Sequence, residues 1–130
     1  MDKTRNFRNY KVWQDAVDYA TMVYKVTAEM PWFEKKGLCD QLQRAAVSIS
    51  SNIAEGSAKP SNADFARFLD TALGSAYEVE TQLLIANKIG YIRNENKDEN
   101  EKKVTYDELY NGIIEIEKQL AGLIRLLRSE

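Results

Sequence analysis

An all-α protein, folded as an antiparallel up-down-up-down four-helix bundle, is what the sequence predicts, and three observations carry it. Apolar residues recur at spacings of three and four in four long segments. Helix caps and stops fall between those segments. No segment keeps the period-two alternation of a half-buried strand. The 130 residues suit a single domain spanning 1–130. A chain of this size buries roughly two thirds of its unfolded surface, so it folds without a disulfide or metal staple. With 44% hydrophobic and 29% charged residues, six Gly and two Pro, the composition is that of a folded chain and not of a disordered one.

The first helix is expected from about Val12 to Met30, where Trp13, Ala16, Val17, Ala20, Val23, Tyr24 and Thr27 recur on one side and Pro31 stops it. Trp32 and Phe33 are expected to cover one end of the core. The second opens near Gly37 and carries Leu38, Leu42, Ala45, Ala46, Ile49 and Ile53 on one face, with Gly56 as its left-handed C-terminal cap. Ser61 with Asp64 makes a capping-box start for the third helix, which runs through Phe65, Leu69, Ala72, Ala76, Val79, Leu83 and Ala86 to a stop at Gly90. Residues 93–104 form a charged loop in which four basic and four acidic side chains cancel. Thr105 with Glu108 repeats the capping signature. Tyr106, Leu109, Ile113, Ile116, Leu120, Leu123 and Leu127 then give the cleanest heptad in the chain.

Helix 1 has more apolar surface than one bundle face requires. Its apolar arc covers about 200°, from Trp13 and Tyr24 round to Tyr19, Val26 and Met22. Tyr110 and Ile114 likewise flank the seam of helix 4. Val12, Tyr19, Met22, Val26, Tyr110 and Ile114 are therefore assigned to a contact with another copy of the chain, the alternative being scattered surface hydrophobes.

Little in the composition suits catalysis. With no histidine, the commonest general base and transition-metal ligand are both absent, and no metal or other cofactor site is expected. The lone Cys39 lacks an evident base and reads as a packing residue. The acidic pairs Glu78 with Glu80 and Glu115 with Glu117 have members pointing about 200° apart, as on solvated faces. Asn52, Glu55 and Gly56 read as a helix cap and turn, with a ligand site as the alternative, and Glu55 is expected to meet Arg67 or the first amides of helix 3. A hairpin turning near residue 59 places Arg44 beside small Gly74 and predicts an Arg44–Glu78 ion pair.

The pattern VWQDAVDYATMVYKVTAEMP, then GLCDQLQRAAVSISSNIAEGSA, then FARFLDTALGSAYEVETQLLIANKIGYI, resembles the four-helix-bundle proteins encoded within intervening sequences of bacterial 23S ribosomal RNA genes, also called the S23 ribosomal protein family. The likeness runs from about residue 7 to 92 and continues by pattern through helix 4. Its most specific pieces are Val12-Trp13, Gln41 to Ala46, Ser48-Ile49, Asn52 to Gly56, and Gly74-Ser75 with Glu78. The resemblance implies a small helical protein assembled into a ring-like homo-oligomer, a pentamer, with no active site. Similar accessory proteins of diversity-generating retroelements are basic and bind nucleic acid.

The formal net charge of -2 argues against a nucleic-acid partner until it is folded onto the topology. In the basic arm, residues 1–10, and the start of helix 1, Lys3, Arg5, Arg8 and Lys11 stand against Asp2. At the end of helix 4, Lys118, Arg125 and Arg128 stand against Glu130. With the 55–70 connection, holding Lys59, this end carries +4 and the rest of the chain -6. Lys3, Arg5, Arg8, Lys11, Lys59, Arg125 and Arg128 are the candidate nucleic-acid contacts, with Phe7 and Tyr10 interleaved to stack on bases. The alternative is a solubilising arm and dipole-complementing helix end. The sequence-level function is thus a non-enzymatic homo-oligomer that binds RNA or other nucleic acid through a basic end, or else a structural protein–protein module. No apolar run spans a bilayer and no signal peptide is evident, so a cytoplasmic protein with no membrane partner or small-molecule substrate is expected.

Overall fold

The computed structural model describes residues 5–95 and 103–130. Its four helices are α1 (Lys11–Thr27), α2 (Leu38–Ser57), α3 (Asn62–Ile89) and α4 (Tyr106–Ser129), with short 3-10 turns at Phe7–Asn9 and Trp32–Glu34. There is no strand among the described residues. Each helix packs antiparallel on the next, α2 and α3 most extensively and α1 and α4 least. The candidate arm residue Lys3 and positions 96–102 of the charged loop lie outside the described residues.

The helix starts follow local chemistry. Ser61 Oγ accepts the backbone N–H of Asp64 at 3.1 Å, and Thr105 Oγ1 accepts that of Glu108 at 3.2 Å. Gly90 ends α3 at φ 97°, where its N–H donates to the carbonyls of Ala86 and Asn87. The end of α1 comes earlier than the Pro31 signal suggests. After Thr27 the chain tightens into three-residue turns, Glu29 N–H donating to Val26 and Met30 N–H to Thr27, before Pro31 excludes further helix.

Phe65, Leu42, Ile49, Ile53, Leu69, Leu83, Leu109, Ile113 and Leu120 are fully enclosed at the centre of the bundle. In α4 the buried seam passes from Leu120 to Ile124 where the strict heptad named Leu123, which is only half-buried. A straight α-helix drifts by about 20° per heptad, which is enough to exchange neighbours after two heptads.

Gly56 is not a left-handed cap. It lies inside α2, which continues to Ser57, and is buried. A Cβ on Gly56 would stand 2.5 Å from Cβ of Phe68 and 3.0 Å from Cδ1 of Phe65. Glycine is needed there so that α2 and α3 can touch backbone to ring.

Farther along the same pair, Ser48 and Ser75 join hydroxyls at 2.9 Å, Asn52 donates to Ser48, and Gln82 donates to Gln41. These contacts fix a register about five residues, or roughly 7 Å, from the one expected for a turn at residue 59. This register brings Arg44 nearly level with Glu78, but both residues are exposed and the pair does not form. Arg44 binds Asp40 on its own helix at 3.0 Å, and Gly74 faces open space. Trp32 and Phe33 do not cover the core either: they are 85% and 62% exposed, and Met30, Cys39 and Ile92 close that end.

Gly56→Ala should lose about 1–3 kcal/mol to overpacking, although alanine is the better helix former by about 1 kcal/mol. Gly122→Ala, with nothing within 4 Å of its Cβ position, should gain up to about 1 kcal/mol. Urea unfolding of the two variants against the parent measures both signs.

Candidate functional site

The end shared by the N-terminal arm, the α2–α3 connection and the close of α4 is assembled by Arg5. Its guanidinium donates to the Lys59 carbonyl at 2.6 Å and to Asn62 Oδ1, and lies 4.9 Å from the centre of the Phe65 ring. Tyr10 packs on the same ring, and Asn62 passes the connection on to α4 by donating to Glu130 at 3.0 Å. Phe7 stands edge-on to Trp13. Residues 5–10 are thus docked, and the two aromatics proposed to stack on bases are packed against the protein's own rings.

Three of the six described candidate cations at this end, Arg5, Lys11 and Arg128, have internal partners. Lys11 binds Asp15 at 2.6 Å, and that contact lifts the Lys11 pKa and lowers that of Asp15, which Gln119 also bonds. Arg128 forks onto Asp70. Arg67 binds Asp64, so it does not reach Glu55, which is exposed. Such solvent-exposed pairs contribute only about 0–1 kcal/mol, so they reduce the local field more than they lock the side chains. Arg5 differs because three contacts converge on it.

Arg8, Lys59 and Arg125 remain exposed without a carboxylate partner among the described residues. The Arg8 guanidinium lies 4.5 Å from the centre of the Phe7 ring and the Lys59 ammonium 5.1 Å from that of Phe68. Arg125 edges a shallow groove lined by Leu73, Ala121 and Ile124.

The apolar residues assigned to a self-contact divide. Val12 and Tyr19 belong to the chain's own core. Tyr19 is 3% exposed, its hydroxyl donates to the Leu109 carbonyl at 2.7 Å, and its ring fills the space over Gly112. Burial raises its pKa far above the usual phenol range. Met22, Val26 and Ile114 are half-buried and Tyr110 is partly exposed. Sequence periodicity could not separate these groups, because α4 takes up one flank of α1 and leaves the other.

The α3–α4 seam holds two acids that the sequence placed on solvated faces. Glu117 of α4 faces Glu80 of α3, and neither is on a fully solvated surface as the i, i+2 spacing had suggested. Burial, then the neighbouring Glu80 carboxyl, pushes the Glu117 carboxyl up to about 7. Its Oε2 is buried without a hydrogen-bond partner. Glu117 follows Ile113 by four residues and precedes Ala121 by four, the stripe that turns toward α3. That stripe is the signal that could have revealed it.

Cys39 is buried, its thiol donates weakly to the Thr27 carbonyl at 3.6 Å, and burial pushes its pKa up, against any role as a nucleophile. Among the described residues no three His, Cys, Asp or Glu side chains could hold a metal ion, and no helix is long and apolar enough to cross a membrane.

The fold and its surfaces define a small antiparallel four-helix bundle whose distinctive chemistry lies on its outside. The sequence model of the 23S rRNA-intervening sequence protein family matches residues 8–122, and the chain belongs to that family. A crystal structure of a protein of unknown function from the S23 ribosomal protein family of Bacteroides thetaiotaomicron is similar at a TM-score of 0.71 and 28% identity, covering 88% of this chain and 98% of that one. No curated protein matches the chain.

Because the Glu117 carboxyl titrates higher in the folded protein than in the unfolded chain, the native state holds the extra proton. Its stabilising contribution is complete below about pH 4.5 and is lost as pH rises through about 7. Glu117→Gln should therefore raise the melting temperature at pH 8 by a few degrees and flatten the decline between pH 5 and 8. Thermal unfolding followed by circular dichroism checks both.

Proposed function

We propose that this protein is a non-enzymatic, self-assembling helical module of the cytoplasm. The observation that carries this reading is the outer side of α3, where Tyr77, Leu84, Ile85 and Ile89 are 45–55% exposed along the last half of the helix. A run of large apolar side chains on one helix marks a contact better than the same residues scattered singly. Across the bundle, α1 exposes Val17 and Tyr24. Helices α1 and α3 occupy opposite corners, without direct packing between them. Two different apolar faces on opposite sides of a subunit suit a head-to-tail contact, which closes into a ring when the rotation permits. A ring of five copies is the assembly the family resemblance favours.

A second reading, nucleic-acid binding at the end of the bundle, is favoured by the three uncompensated cations Arg8, Lys59 and Arg125. In an assembly they recur in every subunit, so individually weak phosphate contacts add as avidity. The reading no longer draws on Arg5, which holds the arm to the bundle.

Sedimentation equilibrium at micromolar concentration should give a mass several times the 14.9 kDa of the chain. Leu84→Glu with Ile85→Glu should reduce it to a monomer of unchanged helical content, and a parent protein that is already monomeric overturns the assembly reading. For the basic end, Arg8→Ala, Lys59→Ala and Arg125→Ala together should weaken single-stranded RNA binding at least tenfold. The log–log salt slope should fall by about 2, as expected for the loss of three phosphate contacts. Filter binding at several salt concentrations measures both, and an unchanged slope removes the basic end from the site.

A further inference from the structure

The exposed aromatic pair lies at the other end of the bundle, where α1 passes into α2. The turn Trp32–Glu34 packs on α2, and among the described residues Glu34 alone of the three reaches inward, to Tyr91, while the two rings project. With Trp32 85% exposed, its indole is left almost uncovered by the described residues. Phe33, 62% exposed, stands at 78° to it with ring centres 6.1 Å apart. Lys35 and Lys36 follow immediately, both exposed and without a carboxylate partner among the described residues. The nearby acids are engaged elsewhere: Glu29 binds Lys103 at 3.1 Å, Asp40 binds Arg44, and half-buried Glu34 turns toward Gly37 and Tyr91. Leaving two large rings in water forgoes their burial energy, and nothing in the core or the caps requires them there.

We propose that Trp32 and Phe33, with Lys35 and Lys36, form a binding site for single-stranded nucleic acid. An open indole face accepts a nucleobase by stacking, a contact every base can make, and the adjacent ammonium groups take the phosphates on either side. The two rings lie nearly at right angles, so they receive bases that are splayed apart, as an unpaired strand permits and a duplex does not. A bilayer surface fits less well. The tip offers two rings only, and the charged run Glu34, Lys35 and Lys36 follows them at once, which opposes insertion into hydrocarbon. This site is separate from the basic end and needs neither Arg8, Lys59 nor Arg125.

The test uses the intact protein carrying Trp13→Phe, so that emission reports on Trp32 alone. Titration with a twelve-nucleotide oligothymidylate at low salt should quench that emission to saturation. In the Arg8, Lys59 and Arg125 triple-alanine background, where the basic end no longer contributes, Trp32→Ala followed by filter binding should weaken the complex about tenfold, and Trp32→Phe should restore most of the loss. Lys35→Ala with Lys36→Ala should weaken binding and lower its salt dependence, whereas the Arg8, Lys59 and Arg125 triple variant should leave the quenching intact. Because every varied side chain except the half-buried Trp13 is exposed, and Trp13→Phe keeps a ring in its place, unchanged circular dichroism is expected throughout. The proposal is overturned if oligothymidylate leaves the emission unchanged, or if a duplex of equal length or phosphatidylglycerol vesicles quench it as well as the single strand does.

Discussion

The close approach of α2 to α3 around Phe65 is the constraint on which the rest of the structure depends. Gly56 brings the α2 backbone against the rings of Phe65 and Phe68, and Ser48 and Ser75 keep the two helices close farther along with hydroxyls in place of bulk. That spacing sets the register of the α2–α3 pair. It also exposes one side of Phe65 to the N-terminal segment, where Tyr10 and the Arg5 guanidinium close over it. Docking the arm in turn commits Arg5 and joins it to α4 through Asn62 and Glu130.

Electrostatics follows from this packing and does not direct it. Arg5 and Lys11 spend their charge within the fold, on a ring face, two oxygen acceptors and a single carboxylate. The ion pairs among the described residues lie at solvent-exposed positions, where each contributes little to stability. Apolar burial and helix geometry carry the bundle. Against that background the half-buried Glu80–Glu117 contact is a local weakness in the α3–α4 seam, because two acids share a site with no cation between them.

The distribution of exposed apolar groups separates two kinds of surface. Along α3 they form a stripe on one helix, the surface we propose for contact with another copy. In the turn after α1 they are two aromatic rings beside two lysines on a projecting loop, the geometry of a contact with a flexible anionic chain. Neither surface holds a set of metal ligands among the described residues.

What the sequence determined by itself is everything governed by a few neighbouring residues. The helix count, the Ser61 and Thr105 caps and the stop at Gly90 were legible, because a cap hydroxyl reaches an amide three residues away wherever the helix sits. Family membership was legible too, since motifs such as Asn52 to Gly56 are local strings. The tertiary structure alone decided how the helices slide and turn against one another. That choice left Arg44 turned outward onto Asp40, buried Tyr19, made Gly56 a packing contact, brought Glu117 to Glu80 and left Trp32 and Phe33 in water. A displacement of one helical turn along its neighbour leaves the apolar periodicity unchanged but replaces every polar partner. Periodicity therefore predicts the bundle without its register, and the register determines which side chains remain free to meet another molecule.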